Sequence, residues 1–390
     1  MKIAIFSDSF YPQVDGVASV VFRSAQGLGR LGHDVYVFTA SVGRLVKRAE
    51  IHKEETQNFT LIRIPSIPAL IYPGYRFSLP IGLAMNKLRK IKPDIIHTHT
   101  PFSVGWEAVW PAKIFGIPIV GTHHTFYNHY LKHAKINYEW AKKISWKYIV
   151  GYYNRCNLIL SPSIALADEL KFQGLKKPIK TFSNPVDTEL FQPVSNRFKK
   201  EELKKSFGIK GASLVYMGRV SYEKNIGQAI KAVALAIKKI PNLQLVIVGD
   251  GPERKKLEKL AKDLGVEKNV LFLGIKHGRE LAETLQANDI FLTASKTENM
   301  PVSVLEAMAT GLPVIGVDAL GIPEIVLDKI NGFIVSPDKI EAMAGKILQL
   351  VEDAKLRERF SKKSRELSLD YSQEKIAQKL EDEYNKLISK

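Results

Sequence analysis

The feature that most constrains the fold recurs along the whole chain: a short Val/Ile/Leu-rich run with no polar alternation. A strand with one wet face alternates apolar and polar side chains, so unalternated runs suit strands buried on both faces of a parallel sheet. "KIAIF", "DVYVFT", "DIIHT", "IPIVGT" and "NLILSPS" occupy the first half, with amphipathic helical stretches between them. The pattern then restarts with "SLVYMG", "LQLVIVGDG", "NVLFLG", "DIFLTAS", "LPVIGV" and "GFIVSP". Two α/β domains, each a doubly wound parallel sheet, are the expected architecture. A length of 390 residues agrees, being more than one compact core usually holds. The stretch "FSNPVDTELFQPVSNRFKKEE" brings prolines, Asn and Ser and then charge, which suits a hinge near residues 183–200. The expected division is residues 1–183 and 184–370, with residues 371–390 a final helix packing back on the first domain.

Charge separates the two halves. Residues 1–180 hold 24 Lys and Arg against 11 Asp and Glu, a balance of +13, and the remainder hold 33 against 29, which completes the net +17. Such asymmetry suits a first domain that faces something anionic, and nucleic acid and an acidic membrane surface both qualify. No helix-turn-helix, zinc-finger or aromatic RNA-binding signature accompanies the charge, so no nucleic-acid partner is expected. The single cysteine, Cys156, excludes an internal disulfide and a Cys-based zinc site and fits a reducing compartment. The amino terminus "MKIAIFSDSF" breaks its apolar run at Ser7-Asp8, and no later run approaches the ~20 residues that cross a bilayer. It reads as a first buried strand of a cytoplasmic protein, with no signal peptide.

In doubly wound sheets, ligands bind beyond the carboxyl ends of the strands. Gly16, in "YPQVDGVASVV", lies where a loop becomes a helix. Its missing side chain either admits a phosphate to the helix amides or serves a turn. Arg219 and Lys224, in "YMGRVSYEKNIGQAI", are either surface cations or donors of charge-assisted bonds to a diphosphate. In "SKTENMPVSVLEAMATGLPVI", seven residues separate Glu298 from Glu306 across a strand end, a loop and a helix that starts near Pro301. Carboxylate oxygens there match the hydroxyls of a sugar and of a ribose, and the Gly-Pro loops of "GLPVIGVDALGIPEIV" indicate close approach to a ligand.

Six of the nine histidines fall within residues 97–133: His97 and His99 in "DIIHTHTP", then His123, His124, His129 and His133 in "GTHHTFYNHYLKH". A metal site, a proton-transfer site and a pocket for a polyhydroxylated ligand would all draw on such a cluster. Glu107 is the only acid among them and no cysteine is near, so no metal is expected.

In their order and spacing, "DGV", the histidine of "THHT", "SNPVDTELF", "MGRVSYEKN", "VGDGPERKKLE" and the Glu298/Glu306 pair with "EAMATGLPVI" resemble the retaining family-4 glycosyltransferases of the GT-B fold. The similarity runs the length of the chain, and "THHTFYNHY" looks most like the diacylglycerol glucosyltransferases. The resemblance implies two Rossmann-like domains facing across a cleft. It also implies transfer of a hexose from a nucleotide sugar with retention of anomeric configuration, and without a catalytic metal or other cofactor. The implied donor set is Gly16, Arg219, Lys224, Gly249, Gly274, Glu298, Asn299, Met300, Pro301, Val302 and Glu306. Within it, Gly16, Arg219 and Lys224 would hold the diphosphate, Glu306 the ribose and Glu298 the sugar hydroxyls. His124, Glu298, Arg219 and Lys224 are the implied catalytic residues, with His124 contacting the transferred sugar. Two departures stand out: Asp15-Gly16 where many members have two glycines, and Glu298-Asn299-Met300-Pro301 where many have Glu-Gly-Phe-Gly. Pro301 offers no amide proton. With no carboxylate where a double-displacement nucleophile would stand, front-face departure and attack is implied.

The acceptor falls to the first domain. "YLKHAKINYEWAKKISWKYIVGYYNR" interleaves Lys with Trp and Tyr along a helix, which suits a lipid headgroup region or, more simply, a helix covering the sheet with its lysines outward. The first reading assigns Tyr127, His129, Lys132, Lys135, Trp140, Lys142, Lys143, Trp146 and Lys147 to the acceptor or membrane, with Tyr148, Tyr152 and Tyr153 adding shallow insertion. Expected partners are a nucleotide sugar such as UDP-glucose, a lipid such as 1,2-diacylglycerol, and the anionic inner face of the cell membrane, where the enzyme sits peripherally. A phosphatidylinositol mannosyltransferase using GDP-mannose and a transferase for a soluble saccharide or small alcohol are the alternatives, and a nucleic-acid-binding protein that uses the basic half is the remote one.

Overall fold

The computed structural model describes residues 1–12, 15–41, 53–56, 58–68, 76–126 and 138–389. The chain divides into two units, Met1–Pro185 with Gln373–Lys390, and Val186–Ser372. Strands of the first unit are β1 (Lys2–Ser7), β2 (Asp34–Ala40), β3 (Lys53–Thr56), β4 (Phe59–Ile64), β5 (Ile67–Pro68), β6 (Arg76–Phe77), β7 (Ile95–Thr98), β8 (Ile119–Thr122), β9 (Leu158–Ser161) and β10 (Ile179–Thr181). Eight form one sheet in the order β10-β9-β8-β7-β1-β2-β4-β3, and β5 and β6 pair as a separate ribbon. Within the large sheet every pairing is parallel except β3 with β4.

β1 shows why its run lacks polar alternation. Ile3 and Ile5 point into one core with Val21, Leu28 and Tyr384, while Ala4 and Phe6 point into another with Phe38, Trp146 and Tyr152. Both faces are covered, and each such Ile or Phe removed from water contributes roughly 1.5–3 kcal/mol. The last helix of the chain, Gln373–Ile388, supplies part of that cover. It lies so close to the helix Gly16–Arg30 that a Cβ on Gly27 would sit 2.9 Å from the Ala377 Cβ. Gln373 donates to Gln26 at 3.0 Å, and ion pairs Arg30–Glu374 and Lys180–Glu383 flank the contact.

The second unit holds β11 (Ser213–Met217), β12 (Gln244–Val248), β13 (Val270–Gly274), β14 (Ile290–Leu292), β15 (Val314–Val317) and β16 (Gly332–Val335), ordered β13-β12-β11-β14-β15-β16 and parallel throughout. Leu214 and Tyr216 face one core, Val215 and Met217 the other. The strand order reverses between β1 and β7 in the first unit and between β11 and β14 in the second, and such reversal points are where doubly wound sheets bind ligands. At the two crossings between units, the Val186 amide donates to the Tyr371 carbonyl at 2.8 Å.

Candidate active site

At the reversal point of the second unit, the loop after β11 begins at Gly218 and carries Arg219, exposed. A 3-10 turn, Tyr222–Lys224, follows, and Asn225, in the left-handed conformation at φ 54°, leads into the helix Ile226–Ile237. The Asn225 side-chain Nδ2 donates to the Ala294 carbonyl at 3.3 Å, which ties this loop to the end of β14. Across that tie the Lys224 ammonium meets the Glu298 carboxylate at 2.6 Å, with both side chains largely covered. Under them Tyr216 is buried, its hydroxyl donating to the Arg219 carbonyl at 3.1 Å. Burial pushes the Tyr216 phenol well above its usual value, and the Glu298 and Glu223 carboxylates push the same way. Asn299, Met300 and Pro301 are buried, and the helix Val302–Ala309 opens just after Pro301, carrying the buried Glu306 in its second turn.

Gly249 has a reason in the fold itself. Its φ is 129°, and a Cβ there would lie 2.0 Å from the Gly218 carbonyl oxygen, so the loops after β11 and β12 pack backbone on backbone. The Gly249 amide also donates to the Gly274 carbonyl at 2.8 Å. Gly249→Ala is expected to destabilise the second unit by about 2 kcal/mol or more. An unchanged denaturation midpoint would show that the two loops can separate at no cost.

At the reversal point of the first unit, β7 and β8 deliver the histidines. The two His97 ring nitrogens lie 2.6 Å from the Tyr384 hydroxyl and 2.6 Å from the Thr122 hydroxyl. His99 Nδ1 lies 2.9 Å from His124 Nε2, with the rings stacked at 5.2 Å, and His123 packs on Tyr153 at 5.0 Å. Among the described residues no group of three His, Cys, Asp or Glu is placed to hold a metal ion. Burial drives His97, His123 and His124 down to about 3 and His99 well below its usual value, so all four are neutral at neutral pH. An imidazole depressed by folding binds its proton in the unfolded chain, so stability is full above about pH 6.5 and is lost as pH falls toward the folded values. The melting temperature is therefore expected to drop between pH 7.5 and 5.0, above the range where most carboxylates titrate. A flat calorimetric profile over that window would contradict the buried neutral cluster.

Helix Gly16–Arg30 opens at the expected glycine. Asp15 caps it, its carboxylate accepting from the Ala18 amide at 2.8 Å and from the Ser9 hydroxyl. That capping accounts for an acid beside Gly16. Gly16 itself is exposed, and a Cβ there would meet nothing within 4 Å, so packing does not demand a glycine. Asp8, after β1, caps the helix Ser103–Phe115 from outside it, accepting from the Ser103 hydroxyl at 2.5 Å and the Val104 amide at 2.9 Å.

Residues 14–190 match the family model Glycosyltransferase Family 4, and residues 199–367 match Glycosyl transferases group 1. The alpha-monoglucosyldiacylglycerol synthase of Acholeplasma laidlawii is 30% identical over 100% of this chain and 98% of its own length. The chain is a family-4 glycosyltransferase. A GDP-mannose-dependent alpha-mannosyltransferase of Corynebacterium glutamicum is 29% identical over 86% of this glycosyltransferase and 76% of that protein. Sucrose-phosphate synthase from Thermosynechococcus elongatus superposes with a TM-score of 0.80 at 20% identity, covering 100% and 99% of the two chains, which shows the GT-B fold.

The structure corrects the acceptor-side reading of the glycosyltransferase. Helix Glu139–Tyr153 does not present all its aromatics: Trp146 is 4% exposed, and Tyr152 and Tyr153 are buried with it in the sheet's core. Their spacing with Ile149 and Val150 is that of one helical face, so Trp146 cannot touch a membrane or acceptor without unfolding. Lys142 is ion-paired to Glu139 at 2.6 Å and is the least available of the helix's lysines, whereas Lys143 and Lys147 are exposed. Trp140 is 63% and Ile144 60% exposed, and Trp110 and Ile114 of helix Ser103–Phe115 are equally open, a second apolar face that the lysine pattern did not mark. The two helices are joined where the Trp106 indole donates to the Tyr148 hydroxyl at 2.8 Å. Tyr127, His129, Lys132, Lys135 and His133 lie outside the described residues.

Proposed function

We propose that this glycosyltransferase is a retaining, metal-independent hexosyltransferase that moves glucose from UDP-glucose to a membrane lipid, 1,2-diacylglycerol. The observation that carries it is the Lys224–Glu298 ion pair, which joins the loops after β11 and β14 at the reversal point of one sheet, with Arg219 on the first loop and Glu306 on the helix that follows the second. Arg219 and Lys224 meet the charge that builds on the departing diphosphate, a contribution of about 3 kcal/mol per well-placed donor. Gly16 leaves room for a phosphate at a helix terminus, Glu306 accepts from the ribose hydroxyls and Glu298 from the hexose hydroxyls. The bond from the hexose C1 to the diphosphate oxygen breaks while the lipid hydroxyl oxygen bonds to C1 on the same face. The hydroxyl proton passes to the departing oxygen. His124, neutral through burial, hydrogen-bonds the transferred hexose without holding a proton charge.

The lipid acceptor draws on the Acholeplasma relative and on the exposed Trp110, Ile114, Trp140 and Ile144 beside Lys143 and Lys147. Among the described residues no helix is long and apolar enough to cross a membrane, and the proposed location is the cytoplasmic face of the cell membrane, held peripherally. The test is a panel of UDP-, GDP- and ADP-linked glucose and mannose with diacylglycerol in anionic vesicles, read by product mass and anomeric coupling. An α-glucosyl lipid from UDP-glucose is expected. An inverted anomer refutes retention, a mannosyl product from GDP-mannose moves the donor assignment, and transfer confined to soluble saccharides refutes the lipid acceptor. EDTA is expected to leave the rate unchanged, since Arg219 and Lys224 meet the diphosphate charge; loss of turnover restored by Mg²⁺ would overturn metal independence.

A further inference from the structure

We propose that the Lys224–Glu298 ion pair is a selectivity device, by which the donor site takes a complete nucleotide sugar in preference to the bare nucleoside diphosphate. The inference rests on the donor reading above. Its starting point is that two groups read as belonging to different parts of one ligand are already engaged with each other: Nζ lies 2.6 Å from Oε1, with side chains only 22% and 18% exposed. A pair so covered is weakly screened by salt, and a ligand must compete for Nζ rather than simply add to it.

The two possible ligands compete differently. A diphosphate that draws Nζ to itself leaves the Glu298 carboxylate without that donor, half-buried and close to new negative charge. Removing one partner of a covered charged pair is the costly case. A nucleotide sugar brings hydroxyls that donate to the same carboxylate, so the bond lost from Lys224 is replaced in the same event. The pair therefore handicaps the reaction's product and spares its substrate. Tyr216 cannot relieve the handicap, because its hydroxyl donates to the Arg219 carbonyl at 3.1 Å.

Calorimetric titration of UDP and of UDP-glucose into the parent and into Glu298→Gln tests this. Gln keeps the shape and removes the charge, and a melting curve confirms that the variant folds. UDP is expected to bind Glu298→Gln about tenfold more tightly than the parent, equivalent to about 1.4 kcal/mol. UDP-glucose gains less or loses affinity, so the parent's preference for the sugar-bearing ligand collapses. In a Lys224→Gln background the Glu298→Gln change is expected to raise UDP affinity by less than it does in the parent, since no ion pair remains to break and only the repulsion between carboxylate and diphosphate is relieved. Equal UDP affinity in the parent and Glu298→Gln overturns the proposal while leaving the donor site standing. A parent that binds neither UDP and UDP-glucose nor GDP and GDP-mannose overturns the donor reading itself. If only the guanosine pair binds, the same comparison made with GDP and GDP-mannose decides the proposal.

Discussion

Arg219→Ala is expected to lower kcat/KM for hexose transfer about 100-fold, the loss of roughly 3 kcal/mol of charge stabilisation, and to leave the melting temperature unchanged. The separation of activity from stability follows from position: Arg219 is exposed on the loop after β11, and its removal opens no cavity. Lys224→Ala is expected to have a comparable effect on rate. Glu306 requires a different replacement, because it is buried in the helix Val302–Ala309 and alanine there would add a cavity to the loss of charge. Glu306→Gln preserves the volume and is expected to raise KM for the nucleotide sugar more than it lowers kcat. Turnover within twofold of the parent in both Arg219→Ala and Glu306→Gln would remove the donor site from this edge of the sheet.

Changing Lys143 and Lys147 to Glu should release the protein from anionic vesicles. Each cation near such a surface is worth about 1 kcal/mol, so reversing two shifts partition by roughly 4 kcal/mol at low salt, near a thousandfold. At physiological ionic strength the Debye length of ~8 Å diminishes the effect. Trp140→Ala should weaken binding further, whereas Trp146→Ala should cost about 3–5 kcal/mol of stability, because that ring lies in the core. Co-sedimentation with phosphatidylglycerol and with phosphatidylcholine vesicles reads these outcomes. A charge-reversed variant that pellets with the parent, or a parent that stays in solution with anionic vesicles, would favour a soluble acceptor.

Strands buried on both faces were the most legible part of the chain, because a run such as "KIAIF" has no other stable place. β4 is hard to read in the sequence for the converse reason: Arg63 interrupts its apolar run, and only the fold shows that the guanidinium is buried and donates to the Tyr11 carbonyl at 3.2 Å. The strand-end loops that carry Arg219, Lys224 and Glu298 were legible because such loops are written in consecutive residues. The pairing of Lys224 with Glu298, 74 positions apart, was not. Trp146 was misread by composition, although its spacing with Ile149, Val150 and Tyr153 already marked a buried stripe. Tyr384 could have been placed on a buried face by its spacing from Ala377 and Leu380, but nothing local names His97 as its partner.

The docking of Gln373–Ile388 on the first unit bears on how the chain is made. The first sheet is synthesised early, yet Ala377, Leu380 and Tyr384, which close its core beside Leu28 and Ile95, follow the whole second unit in the chain. At about 5–20 residues per second, the ribosome needs on the order of 10–40 s to make the second unit in between. Throughout that interval the nascent first unit carries an uncovered apolar face and an unpartnered His97 nitrogen. Termination between Ser372 and Ala377 would thus release a chain whose defect lies in its first unit, and quality control would meet it as a misfolded amino-terminal half.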